Sequence, residues 1–379
     1  MQTMHPTLLI GPSDWDPLQI PRADYEARLA ALWRDHPDAT GAIVYGDSRN
    51  HAALAYLTHF TPKLEAAIAL IPRTGEPRML IGGGVNMLPA AKPLTFITDL
   101  APLRNAGKAA ADWASGFLPG TVLVLIDGNA MPNDLRHSLD QALGNVFRVD
   151  DGDRSLQKHM QRKGSGELQI LRGACAILDA AAEEFRRTAR GGGSVTDCII
   201  KAERAALQRG AQDIRSLFSL DGGRTLRPFD LPLSQHCDPL QAYLAVRHDG
   251  YWTEGFVRAA RGDDPLERKA ESVLRAIVAA AKAGVTCRYL QEMADKARGA
   301  RKPHPLTVNM LGASIGLVLD EPPVLKPSDE TALEPDAVYS FRAGVVDDGG
   351  NGAIVSSIVA VTAQGNEILW PRRQTQGLS

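Results

Sequence analysis

The chain has 379 residues, too many for one ordinary hydrophobic core, so two domains are the starting expectation. With 44% hydrophobic and 23% charged residues it has the composition of a soluble globular protein, and a net charge of −2 without a long basic run argues against a nucleic-acid partner. Four scattered cysteines without a Cys-x-x-Cys spacing argue against a zinc cage or disulfide framework and fit a reducing, cytoplasmic compartment; no apolar run nears the ~20 residues that span a bilayer, so no membrane segment is expected.

In chain order, Met1 to Pro21 is Pro-rich and is expected to form an arm on the surface or on a partner subunit. It lacks a basic start followed by an apolar block, so no signal peptide is expected. Ala23 to Trp33 has helical spacing, with Tyr25, Leu29, Leu32 and Trp33 near one face. Short apolar runs predict strands at Ala42–Tyr45, Ala66–Ile71, Met79–Ile81, Leu94–Ile97, Val122–Ile126 and Val146–Val149. Helices are predicted over Ala106–Ala114 and Asn133–Leu143. Strands alternating with helices give an α/β layer architecture. Nothing in this half carries a catalytic pattern. His51 and His59 read as loop histidines, and Gly82-Gly83-Gly84 lacks the Lys-Ser/Thr of a phosphate loop.

A polar turn at Asp150-Asp151-Gly152-Asp153 closes the first domain. After it, Leu168, Leu171, Cys175, Leu178, Ala182 and Phe185 recur at steps of three and four, one buried face of a long helix that Gly191-Gly192-Gly193 stops. A second helix is expected over Val195–Gln208, and a fourth over about Arg288–Arg298. The third begins at Asp264-Pro265-Leu266-Glu267, with Asp at the cap and Pro in the first turn, and is closed by Gly284. Strands are predicted at Ser216–Leu220, Ser314–Leu319, Val338–Ala343, Ile354–Val361 and Ile368–Trp370. Between them lies a hairpin: Tyr243–Val246, a His248-Asp249-Gly250 turn, and Tyr251–Arg258. Asp-Gly between β-prone runs is a strong hairpin signal, because Gly accepts positive φ without a Cβ clash.

Several blocks in this order resemble the creatinase/aminopeptidase P/prolidase superfamily. They are Lys163-Gly164-Ser165-Gly166-Glu167-Leu168, Asp249-Gly250-Tyr251-Trp252, Gly312-Ala313-Ser314-Ile315-Gly316-Leu317 with Glu321-Pro322-Pro323, Leu333-Glu334-Pro335-Asp336-Ala337-Val338, and Thr362-Ala363-Gln364-Gly365-Asn366-Glu367. The resemblance implies an α+β chain. A creatinase-like α/β N-terminal domain over residues 1–155 would precede a C-terminal pita-bread domain over 156–379. It also implies a homodimer and a small-molecule substrate bearing a carboxylate and a nitrogen.

The family's metallopeptidases hold two metal ions with two aspartates, one histidine and two glutamates. Carried over one at a time, these positions fall on Tyr243, on Glu254 or Gly255, on Ala313, on Arg342 and on Ser356. An arginine there sets a fixed positive charge where a cation should sit, at a cost of several kcal/mol. The expectation is therefore no metal and no cofactor, and a divergent, metal-independent member. By the same resemblance, two histidines that relatives use are replaced by Phe229 and Asp320. The candidate catalytic groups are Glu254 or Asp320 as general base and Tyr243 as donor to a developing oxyanion. Arg342 is the candidate carboxylate clamp, with His304, Ser356 and Phe229 as further substrate contacts. The alternative is a non-catalytic descendant in which Arg342 and Glu254 fill an emptied metal site as an ion pair and the cleft binds a small ligand or a protein. The adjacent His236 and Cys237, the hairpin-tip His248, and Arg224 and Arg227 are weaker candidates, each read first as a solvated loop residue.

Overall fold

The computed structural model describes residues 13–63, 65–229 and 232–372. The first twelve residues, where most of the expected arm falls, lie outside the described residues. The chain divides into two compact units, Met1–Met160 and Gln161–Ser379.

The first unit is a mixed sheet with helices. Its elements are α1 (Arg22–Asp35), β1 (Ala39–Gly46), α2 (Ala52–Thr58), β2 (Ala67–Pro72), β3 (Arg78–Ile81), β4 (Asp99–Pro102), α3 (Ala106–Ala114), β5 (Val122–Ile126), α4 (Asn133–Leu143), β6 (Arg148–Asp151) and α5 (Asp153–Gln161). The strands lie in the order β4-β3-β2-β1-β5-β6. β1 and β5 are parallel and buried along their length, which is why they read as continuous apolar runs. Ile43, Tyr45, Leu70, Leu123, Leu125 and Leu139 share one core. Two expectations fail here, and one helix carried no sequence signal. Leu94–Ile97 is not a strand, since Lys92–Leu94 is a short 3-10 turn and the strand begins at Asp99. The last strand starts at Arg148 rather than Val146. The stretch around Tyr56 is a helix, too short to show an apolar period.

The second unit carries α6 (Ser165–Arg190), α7 (Val195–Leu207), β7 (Asp213–Ser219), β8 (Arg227–Pro228), β9 (Leu240–His248), β10 (Tyr251–Ala259), α8 (Pro265–Ala280), α9 (Cys287–Arg298), β11 (Lys302–Pro303), β12 (Gly312–Ser314), β13 (Glu321–Leu325), β14 (Val338–Val346), β15 (Gly352–Val361) and β16 (Asn366–Trp370). Two antiparallel sheets result, β10-β9-β7-β8 and β13-β12-β14-β15-β16, with β11 added beside β14. Asp249 and Gly250 both have positive φ (44° and 83°), the geometry of a two-residue hairpin turn whose twist matches its strands. Asp264 caps α8 by accepting from the Leu266 and Glu267 amides. Period-two alternation sorts β14 cleanly. Tyr339, Phe341 and Ala343 enter the core with Ile277, Leu290 and Val359, which leaves Ser340, Arg342 and Gly344 on the opposite face. The expected strand over Ser314–Leu319 shrinks to β12, because the chain turns at Gly316 and Glu321 accepts the Leu317 amide. Among the described residues no helix is long and apolar enough to cross a membrane.

Candidate active site

The two sheets of the second unit face each other across a polar seam. On one side are Tyr243 of β9 with Glu254 and Phe256 of β10, on the same face because Tyr243 pairs with Phe256. On the other side are Ala313, Ser340, Arg342 and Ser356. They share a face because Ala313 pairs with Ser340 and Arg342 pairs with Ser356. The five positions carried over from the family's metal ligands are thus brought together, given Glu254 rather than Gly255 for the second aspartate. Gly255 points the other way, where an added Cβ would meet the Trp370 ring at 2.4 Å.

Glu254 is the centre. Its side chain is 1% exposed, and Arg342 beside it is 12% exposed. Oε1 accepts from Arg342 Nη2 at 2.6 Å, from Arg342 Nε at 3.1 Å and from Ser340 Oγ at 2.6 Å. Oε2 accepts from the Tyr243 hydroxyl at 2.5 Å. The fork of Arg342 thus rests two nitrogens on one carboxylate, a charge-assisted pair that desolvation makes stiff. Nη2 also donates to Asp320 Oδ1 at 2.9 Å, and that carboxylate is 52% exposed. Among the described residues Nη1 has only the Met310 thioether, at 3.4 Å, a weak acceptor. The guanidinium lies 5.8 Å from the centre of the Phe256 ring. Burial, then the charge and hydrogen bond of Glu254, push the Tyr243 phenol above its ordinary range, so it stays protonated. Burial works against the charge of Arg342, but Glu254 and Asp320 more than offset it and hold its pKa above the usual value.

Several expected roles change with this geometry. Tyr243 has one proton and spends it on Glu254, so it is not poised to donate to an oxyanion. Glu254 is buried with both oxygens hydrogen-bonded, whereas Asp320 keeps a half-exposed carboxylate. Arg342 is not a vacant fork, since two of its three nitrogens are committed and only Nη1 remains. Ser356 Oγ accepts the Phe256 amide at 2.8 Å and stitches the two sheets together. His304 is fully buried at the other end of the seam. Its Nε2 donates to Gly223 O at 2.7 Å and its Nδ1 accepts the Leu306 amide, so the ring pins a loop. Burial lowers its pKa, and the nearby Arg258 adds to that. Phe229 packs edge-on to Phe218, away from the cluster's hydrogen bonds. Arg224 donates to the carbonyls of Gly349 and Gly350. Ser340, Phe256 and Met310 escaped the sequence reading. The first two had a signal, since Ser340 and Arg342, like Glu254 and Phe256, are two apart on one strand and must share a face.

These residues do not fit a divalent cation. Such an ion needs several anionic oxygens or imidazoles converging on one point. Here one carboxylate forms the floor, its inner oxygen is fully used, and a guanidinium stands against it. Among the described residues no three His, Cys, Asp or Glu side chains group to hold a metal.

A two-sheet α+β unit with an ionic cluster on facing strands, preceded by an α/β unit, defines a pita-bread protein with its N-terminal domain. The profile of metallopeptidase family M24 matches residues 169–363, and the chain belongs to that family. In fold it is similar to the dipeptidase PepE from Mycobacterium ulcerans (20% identity, TM-score 0.72, covering 95% of this chain and 98% of that one). It is also similar to a Xaa-Pro dipeptidase from Bacillus anthracis (18%, 0.71, 92% and 98%) and to an X-Pro aminopeptidase from Thermotoga maritima MSB8 (17%, 0.72, 89% and 97%). No curated protein matches the chain.

Proposed function

We propose that this chain is a metal-independent, hydrolase-like member of the family that acts on a C–N bond of a small molecule bearing a carboxylate and a nitrogen. The observation that carries the reading is the Arg342 fork on Glu254, a cation already built into the floor. Asp320 is the proton acceptor, because it alone in the cluster combines a carboxylate with solvent access. A ligand carboxylate displaces the Met310 thioether from Arg342 Nη1, exchanging a weak acceptor for a strong one. A homodimer in the cytoplasm belongs to the same proposal, and the four unpaired cysteines agree with a reducing compartment.

A second reading, a non-catalytic binder of a small ligand or protein, is favoured by one observation. Tyr243, Ser340 and Arg342 spend their donors on Glu254, as a purely structural pair would arrange them. Turnover separates the two. Hydrolysis of small zwitterionic amides that persists under chelation and is lost in Asp320→Asn supports the enzyme. A thermal shift with such ligands, without turnover, supports the binder. Neither a shift nor turnover across the panel would defeat the small-molecule reading.

A further inference from the structure

We infer that the Arg342 guanidinium is a tethered counter-cation, holding permanently the place that a small cation from solution would otherwise fill beside Glu254. The inference rests on the metal-independent reading and adds to it what the floor binds once the tether is cut: a planar monocation of guanidinium type.

Charge balance carries it. The groups facing Glu254 are the Tyr243 hydroxyl, the Ser340 hydroxyl and the Arg342 guanidinium. The first two are neutral, so Arg342 alone among them offsets the buried charge. Asp320, at the outer edge of the same guanidinium, adds a second negative charge. A buried carboxylate without a cation is costly, and hydroxyl donors compensate it only in part. Shape carries the rest. The planar fork lies between the carboxylates of Glu254 and Asp320, with Phe256 and Met310 beside it. Truncating Arg342 at Cβ leaves a space that has already held a guanidinium. Its hydrogen-bond acceptors stay fixed, because Glu254 is still held by Tyr243 and Ser340. That pre-organisation is what a binding site for the free ion requires.

The test uses the full chain and thermal unfolding. Arg342→Ala is expected to melt about 10 °C below wild type, the scale of losing one partner of a buried pair. Millimolar guanidinium chloride should restore most of that loss saturably, whereas sodium chloride and urea at equal concentration should not. Wild type should show no gain. Recovery absent, or equal with sodium chloride, overturns the inference, as does recovery on acidification alone, which would mean that Glu254 takes a proton instead. If Arg342→Ala does not fold, the paired variant Glu254→Gln/Arg342→Ala decides. A soluble double variant that ignores guanidinium supports the counter-cation, because the charge needing compensation is gone. An insoluble one shows that Arg342 acts by packing and overturns it. Stoichiometric divalent metal in purified wild type would instead break the underlying metal-independent reading, whatever the rescue result.

Discussion

Strand β10 carries two ionic devices four residues apart, and they solve different problems. Arg258 at one end of the seam binds Asp264 Oδ2 at 2.6 Å and the Gly352 carbonyl at 2.7 Å. Both side chains are buried (2% and 8% exposed), and Asp264 is also the cap of α8. That pair fastens a helix start to two strands. Glu254 at the other end meets a guanidinium that reaches on to the half-exposed Asp320. The lesson is that burial of an ion pair does not mark a site. The second pair differs in that its guanidinium reaches a carboxylate open to solvent, a place where a ligand can replace water. A cavity of about 700 Å³ borders Arg258, Asp264, Asp347 and Asn351. It therefore adjoins the architectural pair and not the open one.

The two ion pairs separate most clearly in the response to substitution at Arg258. Arg258→Ala strands the buried Asp264 and unties α8, and should cost about 3–5 kcal/mol in chemical denaturation. A loss below about 1 kcal/mol would erase the distinction drawn here. Tyr243→Phe removes one donor from a charged acceptor and should cost about 1.5–3 kcal/mol. Combined with Ser340→Ala, the losses should be non-additive, since both hydroxyls serve one carboxylate; strict additivity in a double-mutant cycle would contradict the shared network.

Asp127 of the first unit sharpens the contrast, because its environment takes a proton where Glu254 takes a guanidinium. Burial, with Asp153 and Asp47 nearby, raises its carboxyl to about 7. Unfolded it titrates near 3.9, so the folded form binds the extra proton and stability falls as pH rises from about 4 to 7. Asp127→Asn should leave the melting temperature unchanged near pH 4 and raise it by a few degrees at pH 8; equal effects at both would rule the assignment out. The smallest stability change belongs to Asp320→Asn, within about 1 kcal/mol because the group is half-exposed. Its signature is functional: loss of turnover, with the fold intact by circular dichroism.

Much of this fold was legible because local rules and tertiary context agree. α3 and α4 fall where they were expected, each an amphipathic helix. The hairpin turn and the α8 cap follow from Asp-Gly and Asp-Pro chemistry alone. The misses lie where spacing is silent. β13, for which no strand was expected, contains two prolines, and as the edge of its sheet it needs few amide donors. His304 looked like a rigid loop's functional group, but its ring nitrogens are both taken by backbone partners distant in sequence or hidden in a turn.

The sequence by itself determined which residue types line the seam, since period two on β10 and β14 puts Glu254 with Phe256 and Ser340 with Arg342 whatever the fold around them. Only the tertiary structure decided what each polar atom does. Hydrogen-bond donors are finite, and which partner receives a proton depends on distances between strands that lie 88 residues apart along the chain. Arg342 was visible as a cation in the wrong place for a metal; that its charge is already committed to Glu254 and Asp320 is a fact of geometry.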